Sequence, residues 1–186
     1  MKKMTTKEMV LAAILTAIVV VLQLVGSTIK LGPFSISTVL VPIVIGAATC
    51  GIGVGAWLGF VFGLIVLLSG DAAAFLAVNV PGTIITVLAK GTLCGLISGV
   101  VYKALNKKNK YVAVCGAAIV CPIVNTGVFA LGCFAFFMET ITQWAGGSSA
   151  VQYVFAVLIG FNFLIEIVVN IVLSPVIVRL LNTRKK

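Results

Sequence analysis

The stretch Asn79 to Gly91 reads N-V-P-G-T-I-I-T-V-L-A-K-G, with Asn79, Thr83, Thr86 and Lys90 at i, i+4, i+7 and i+11. At 3.6 residues per turn that spacing sets all four on one helix face. The rest of the stretch is apolar. A lysine a dozen residues into an apolar span costs about 2.5 kcal/mol or more in lipid, so it must face a cavity or a partner. The stripe therefore reads as the lining of a small-molecule site inside a multi-span membrane protein.

Composition points the same way. The chain has 186 residues, 61% of them hydrophobic and 9% charged. Soluble domains carry about 25% charged residues. The expected fold is an all-α integral membrane protein in one domain, a six-transmembrane-helix bundle of spans near 20 residues each. The net charge of +9 is concentrated at Lys2, Lys3 and Lys7, at Lys103, Lys107, Lys108 and Lys110, and at Arg179, Arg184, Lys185 and Lys186. A nucleic-acid partner would need a folded basic surface with reading elements, and none is present. The positive-inside rule instead assigns all three clusters, and with them both termini, to the cytoplasm. None of the five cysteines is spaced as C-x-x-C, and all lie in apolar runs, as small core residues do. Histidine is absent, which removes the commonest metal ligand and general base; no metal or cofactor is called for. The first apolar run follows a basic start, as a signal peptide would, but it is long, lacks an A-x-A exit and precedes further spans. It reads as a retained first helix.

The expected spans are about 8–24, 37–50, 54–69, 80–102, 111–137 and 152–180. Thr5-Thr6-Lys7-Glu8 caps the first, where Ala13 and Ala17, beside Ala12 and Thr16, form a small-residue face suited to close helix approach. Ordinary packing within the same bundle explains that face equally. Gly26 to Ser37 alternates apolar and polar residues about Gly32-Pro33, reading as an outer hairpin and a lid candidate. Pro42 lies in the second span, and Gly51-Ile52-Gly53 turns tightly after it. Gly55, Gly59 and Gly63 form a doubled G-x-x-x-G in the third, a signal of tight helix contact rather than chemistry. Lys30, Asp71 and Glu139 fall outside, with Trp144 as an interfacial anchor. Six spans thus place every basic cluster on one side.

Helical rise gives depth at about 1.5 Å per residue. Lys90 and Glu166 each lie roughly 20 Å from the cytoplasmic end of their spans, Asn125 roughly 22 Å and Gln23 roughly 24 Å. Asn162 stands one turn beyond Glu166, and Asn79, Thr83 and Thr86 continue the layer outward. A polar layer open to the exterior suits the binding of an imported solute. Each residue also has a plainer reading. Lys90 and Glu166 can neutralise each other, and Asn79 with Pro81 can cap its helix. Thr83 and Thr86 can bond back to their own carbonyls, and Asn125 can serve carbonyls freed by Pro122. The coincidence in depth carries the site, not any one of them.

With these residues in view, the whole chain resembles a substrate-binding S component of an energy-coupling factor (ECF) vitamin transporter. The resemblance rests on six short spans, the T-T-K-E start, Ala13 and Ala17, the loop Gly26–Ser37, and the stretches K-L-G-P-F-S-I-S and N-V-P-G-T-I-I-T-V-L-A-K-G. It implies residence in a prokaryotic plasma membrane and partnership with a transmembrane T component and two cytoplasmic ATPases. It also implies docking through Ala13 and Ala17, capture of a vitamin from outside, and toppling of the loaded protein in the membrane to release cargo inside. The chain has no G-x-x-x-x-G-K-[ST] loop and cannot hydrolyse ATP itself. A lysine among Asn and Thr suits a small acid bearing hydroxyls and an amide, with Lys90 meeting the carboxylate and Asn79, Thr83, Asn125 and Asn162 the remaining groups. Pantothenate fits that description best. A neutral vitamin or pyrimidine precursor fits better if Glu166 already neutralises Lys90. The rival classes are a carrier or channel working without partners, a membrane enzyme, and a ligand-free scaffold. Without His or paired carboxylates, acid–base catalysis is disfavoured.

Overall fold

The structure, a computed structural model, describes residues 4–28, 30–31, 34–35 and 38–183, with the side chains of 30–31, 34–35, 161–162 and 180–183 outside the description. The described chain is helical apart from one two-residue strand pair. Helix α1 (Thr6–Thr28) opens on a reciprocal cap. The Thr5 amide donates to Glu8 Oε2 at 2.9 Å and the Glu8 amide to Thr5 Oγ1 at 3.3 Å, satisfying two of the helix's orphan donors. The helix runs past the expected end of the first span and takes in Gly26–Thr28. Strands β1 (Lys30–Leu31) and β2 (Phe34–Ser35) follow, antiparallel, with Lys30 opposite Ser35 and Leu31 opposite Phe34. This is the expected hairpin; its Gly32-Pro33 turn lies outside the described residues, as do Lys2, Lys3, Arg184, Lys185 and Lys186.

Next come α2 (Leu40–Cys50), α3 (Ile52–Leu68), the single turn α4 (Ala73–Leu76) and α5 (Val80–Leu105). After these stand α6 (Lys110–Phe136), α7 (Met138–Trp144) and α8 (Ala150–Tyr153), which passes through a π-helical segment, Val154–Ile159, into α9 (Gly160–Thr183). Among the described residues, four helical stretches are long and apolar enough to cross a membrane: Thr6–Thr28, Val80–Leu105, Lys110–Phe136 and Ala150–Arg179. The two others that the sequence marks as spans, α2 and α3, are shorter, at 11 and 17 residues. The packing explains how α2 can be short. It touches α1, α3, α5, α6 and α9, and Leu40, Ile43 and Val44 have no exposure. A helix surrounded by protein has no need to match the thickness of the lipid. The turn between α2 and α3 is tighter than the sequence suggests. Gly51 alone makes it, at φ +102°, where a side chain would be strained, and Ile52 and Gly53 already belong to α3.

The most intimate contact in the molecule is between α3 and α5. A Cβ placed on Gly55 would lie 2.7 Å from the Gly95 carbonyl oxygen, one on Gly59 would strike the Gly91 carbonyl, and one on Gly63 would lie 2.8 Å from the Val87 carbonyl oxygen. Gly91 and Gly95 meet the Gly59 and Gly55 carbonyls in return. The register is antiparallel and the two backbones touch. The partner motif was present in the sequence: Gly91, Gly95 and Gly99 repeat at the same four-residue interval.

Two apolar cores result. The larger is built about Leu40, Ile43, Leu58 and Phe62; the smaller joins Phe75 to Cys133, Phe137, Ile141, Val154 and Leu158. We expect Gly59→Val to force α3 and α5 apart and to cost about 3 kcal/mol or more, at or above the usual range for overpacking. Gly53→Ala, with nothing within 4 Å of the added atom, should be near neutral. Thermal midpoints of the two variants in detergent check the pair.

Candidate functional site

A cavity holding about 70 Å³ of space for water centres opens where the two cores meet, room for about five to seven waters. Phe62, Val66 and Val87 of the larger core line it, and so do Phe75, Phe137 and Leu158 of the smaller one. Its polar lining comes from helices far apart in sequence: Gln23 from α1, Thr83, Thr86 and Lys90 from α5, Asn125 and Thr126 from α6, and Glu166 from α9. The π-helical segment supplies Leu158 and Ile159. Such wide turns occur often beside functional sites, because they re-aim side chains.

Lys90 is only partly exposed. Its Nζ lies 5.6 Å from the centre of the Phe62 ring and 5.3 Å from that of Phe129, within range of cation–π attraction. Among the described residues Lys90 makes no ion pair and no hydrogen bond. The tight Lys90–Glu166 pair that equal depth allows is therefore not formed among the described residues.

The other polar residues divide into those already occupied and those not. Asn79 does not line the cavity. It caps α5, its Oδ1 accepting from the Gly82 amide at 3.0 Å, and that cap is where its polar atom is used. Thr83 lines the cavity, but its hydroxyl donates to the Asn79 carbonyl at 2.7 Å. Gln23, 2% exposed, donates from Nε2 to Asp71 Oδ2 at 2.6 Å. Thr86 Oγ1 and Asn125 Oδ1 are buried with no partner. Pro122, one turn earlier, sits buried in an unbroken α6. Glu166 is 2% exposed, and its own carbonyl accepts from Asn170 Nδ2 at 2.8 Å. The side chain of Asn162 lies outside the described residues.

Sequence reasoning missed two features. Asp71 was read as an isolated outer-loop charge, yet it bonds Gln23 and lines the cavity. The aromatic wall was missed as well: Phe62, Phe75, Phe129, Phe137 and Phe163 all face the space. Phe75 is its hub, meeting Phe129, Phe137 and Trp144 edge-on at centroid distances of 5.6, 5.0 and 5.6 Å. Trp144 is thus part of this ring cluster as well as exposed. No linear spacing reports that these rings converge.

The family model of the ECF transporter substrate-specific component matches residues 7–178. The chain belongs to that family. It is a membrane protein of a family of transporter-binding subunits rather than of enzymes, and the family associates with a T component and ATPases. No curated protein and no solved structure matches the chain.

Replacing the two orphan polar groups separates binding from stability. Thr86→Val and Asn125→Leu remove buried atoms that lack partners, so the thermal midpoint should hold or rise. Loss of the same groups from a ligand site should weaken ligand binding about tenfold each, read by titration calorimetry.

Proposed function

We propose that this S component captures a small acidic vitamin from outside the cell in the cavity between its two cores and passes it inward with a T component and two ATPases. The observation that carries the reading is Lys90. An ammonium group deep among apolar helices, with two ring faces and no carboxylate at ion-pair distance among the described residues, is poised for an anion from outside. Thr86 and Asn125 offer further unpartnered polar atoms. Pantothenate, with a carboxylate, hydroxyls and an amide, is the candidate that the polar set suggests. A neutral vitamin or pyrimidine precursor would leave Lys90 without a carboxylate at ion-pair distance among the described residues and is the weaker reading.

Six spans with cytoplasmic termini complete the proposal, α2 and α3 crossing as short helices within the bundle. Gln23, Thr83, Thr86, Lys90, Asn125 and Glu166 are the proposed substrate-binding residues, with Asn162 as a further candidate from the sequence and Asn79 acting through its cap on α5. Ala13 and Ala17 are the proposed docking face. Both are exposed on α1, opposite the inward-facing Leu15, Val19 and Gln23, and a small-residue face open to the outside suits close approach by another helix. Trp57 Nε1 donates to Thr16 Oγ1 at 3.3 Å beside it.

Lys90→Met, nearly isosteric and uncharged, should fold normally and lose at least a hundredfold in affinity for the acid that co-purifies with the wild-type protein. Unchanged affinity would remove Lys90 from the site. Ala17→Trp should leave that affinity intact while blocking co-purification with the T component, and normal assembly would refute the docking face. Uptake by the chain in cells lacking T component and ATPases would favour the partner-independent carrier.

A further inference from the structure

Between Asp71 and Glu139 the sequence has no acidic residue but five lysines, Lys90, Lys103, Lys107, Lys108 and Lys110. Lys90 lines the cavity; the other four gather where α5 ends and α6 begins. The turn joining these helices is held by its own backbone. The Asn106 amide donates to the Tyr102 carbonyl at 2.9 Å, and the Lys108 and Asn109 amides to the Leu105 carbonyl at 3.0 and 3.2 Å. Asn109 caps α6, its Oδ1 accepting from the Tyr111 and Val112 amides at 2.8 and 3.4 Å. Lys103, Lys107 and Lys108 stand exposed at this fixed corner, and among the described residues their side chains make no ion pair and no hydrogen bond.

Arg179 of α9 reaches the same end. Cys115 Sγ and Ser174 Oγ lie 3.5 Å apart, and Asn125 and Glu166, farther along, both border the cavity, so α6 and α9 run antiparallel. Lys110 and Arg179, each five residues from that contact, come level with one another, and Arg179 is exposed. Glu8, the acid that begins α1, accepts from the Thr5 amide, and α1 packs chiefly on α3 and α2 rather than on α5 and α6. Beside the lysines the surface is apolar: Val100 of α5 and Tyr111 and Val112 of α6 are 46%, 59% and 53% exposed. The positive-inside rule accounts for basic residues at this end of the bundle, but it asks for no particular arrangement of them. Exposed lysines gathered at one corner, with no acid on either helix and an aromatic ring and apolar surface alongside, match an anionic headgroup above its acyl chains. Lysine stems lie along apolar surface while their ammonium groups reach the headgroup layer, and a tyrosine ring suits that same layer.

We propose that the α5–α6 corner, with Arg179 beside it, is a binding site for an anionic phospholipid of the adjoining leaflet. The headgroup phosphate meets Lys103, Lys107 and Lys108, and the acyl chains run along the exposed apolar flanks of α5 and α6. The Ala13–Ala17 face belongs to α1, so a lipid held here leaves that face open.

The test titrates the full-length protein, delipidated in detergent, with phosphatidylglycerol and with zwitterionic phosphatidylcholine of the same chains, counting bound lipid by native mass spectrometry. Phosphatidylglycerol should bind at least about tenfold more tightly, since each lysine near an anionic headgroup is worth about fivefold. Replacing Lys103, Lys107 and Lys108 together by Gln should remove that preference without lowering the thermal midpoint. Replacing Lys2, Lys3 and Lys7 by Gln takes the net charge from +9 to the same +6 and should leave the preference within about threefold of wild type. Equal affinity of the wild-type protein for the two lipids overturns the site. Equal losses in the two triple variants reduce the effect to net charge and overturn it too. An intact preference in the α5–α6 variant, with co-purification of the T component and ATPases lost, assigns the corner to those partners and overturns the lipid.

Discussion

Backbone meeting backbone between α3 and α5 is the constraint from which the site follows. Gly55, Gly59 and Gly63 allow the Gly95, Gly91 and Val87 carbonyls to come within reach of positions that any side chain would occupy. In a bilayer no hydrophobic drive separates helix from lipid, so close van der Waals approach of this kind does much of the work of association. It also fixes register. Lys90 is one residue from Gly91, and Phe62 one residue from Gly63. Locking the glycines therefore sets the ammonium 5.6 Å from the Phe62 ring.

The cavity exists because the molecule has two cores rather than one. The larger is centred on α2, which five other helices surround. The smaller gathers around Phe75, the C-terminal part of α6 and the π-helical segment. Where they adjoin lies the cavity, bordered by several of the chain's scarce polar side chains. Gln23 and Asp71 bridge this junction by tying α1 to the segment between α3 and α4. The π-helical turn at Val154–Ile159 contributes Leu158 and Ile159 to the same lining as Glu166 of α9.

Family membership and site chemistry answer different questions. The match over residues 7–178 makes the chain a substrate-specific component and says nothing of what it carries. That must come from side chains. Lys90 lies within reach of two ring faces, Phe62 and Phe129. Thr86 and Asn125 ask for hydrogen bonds that the described protein does not supply.

By itself the sequence determined the membrane class, the helical boundaries within a few residues and the doubled glycine motif of α3, because these follow from local composition and spacing. The resemblance to S components was legible for the same reason. Depth arithmetic put Gln23, Lys90, Asn125 and Glu166 in one layer, with Asn162 one turn beyond and Asn79, Thr83 and Thr86 continuing it outward, since rise per residue is fixed once a helix is assumed. Tertiary structure alone decided what spacing cannot encode. Asn79 faces its own helix start, because a cap is a local bond that competes with any distant role. Asp71 turns inward because Gln23, forty-eight residues earlier, donates to it. The phenylalanines form a wall only because α3, α4, α6 and α9 converge, and rings scattered between Phe62 and Phe163 carry no periodic signal of where their faces will meet.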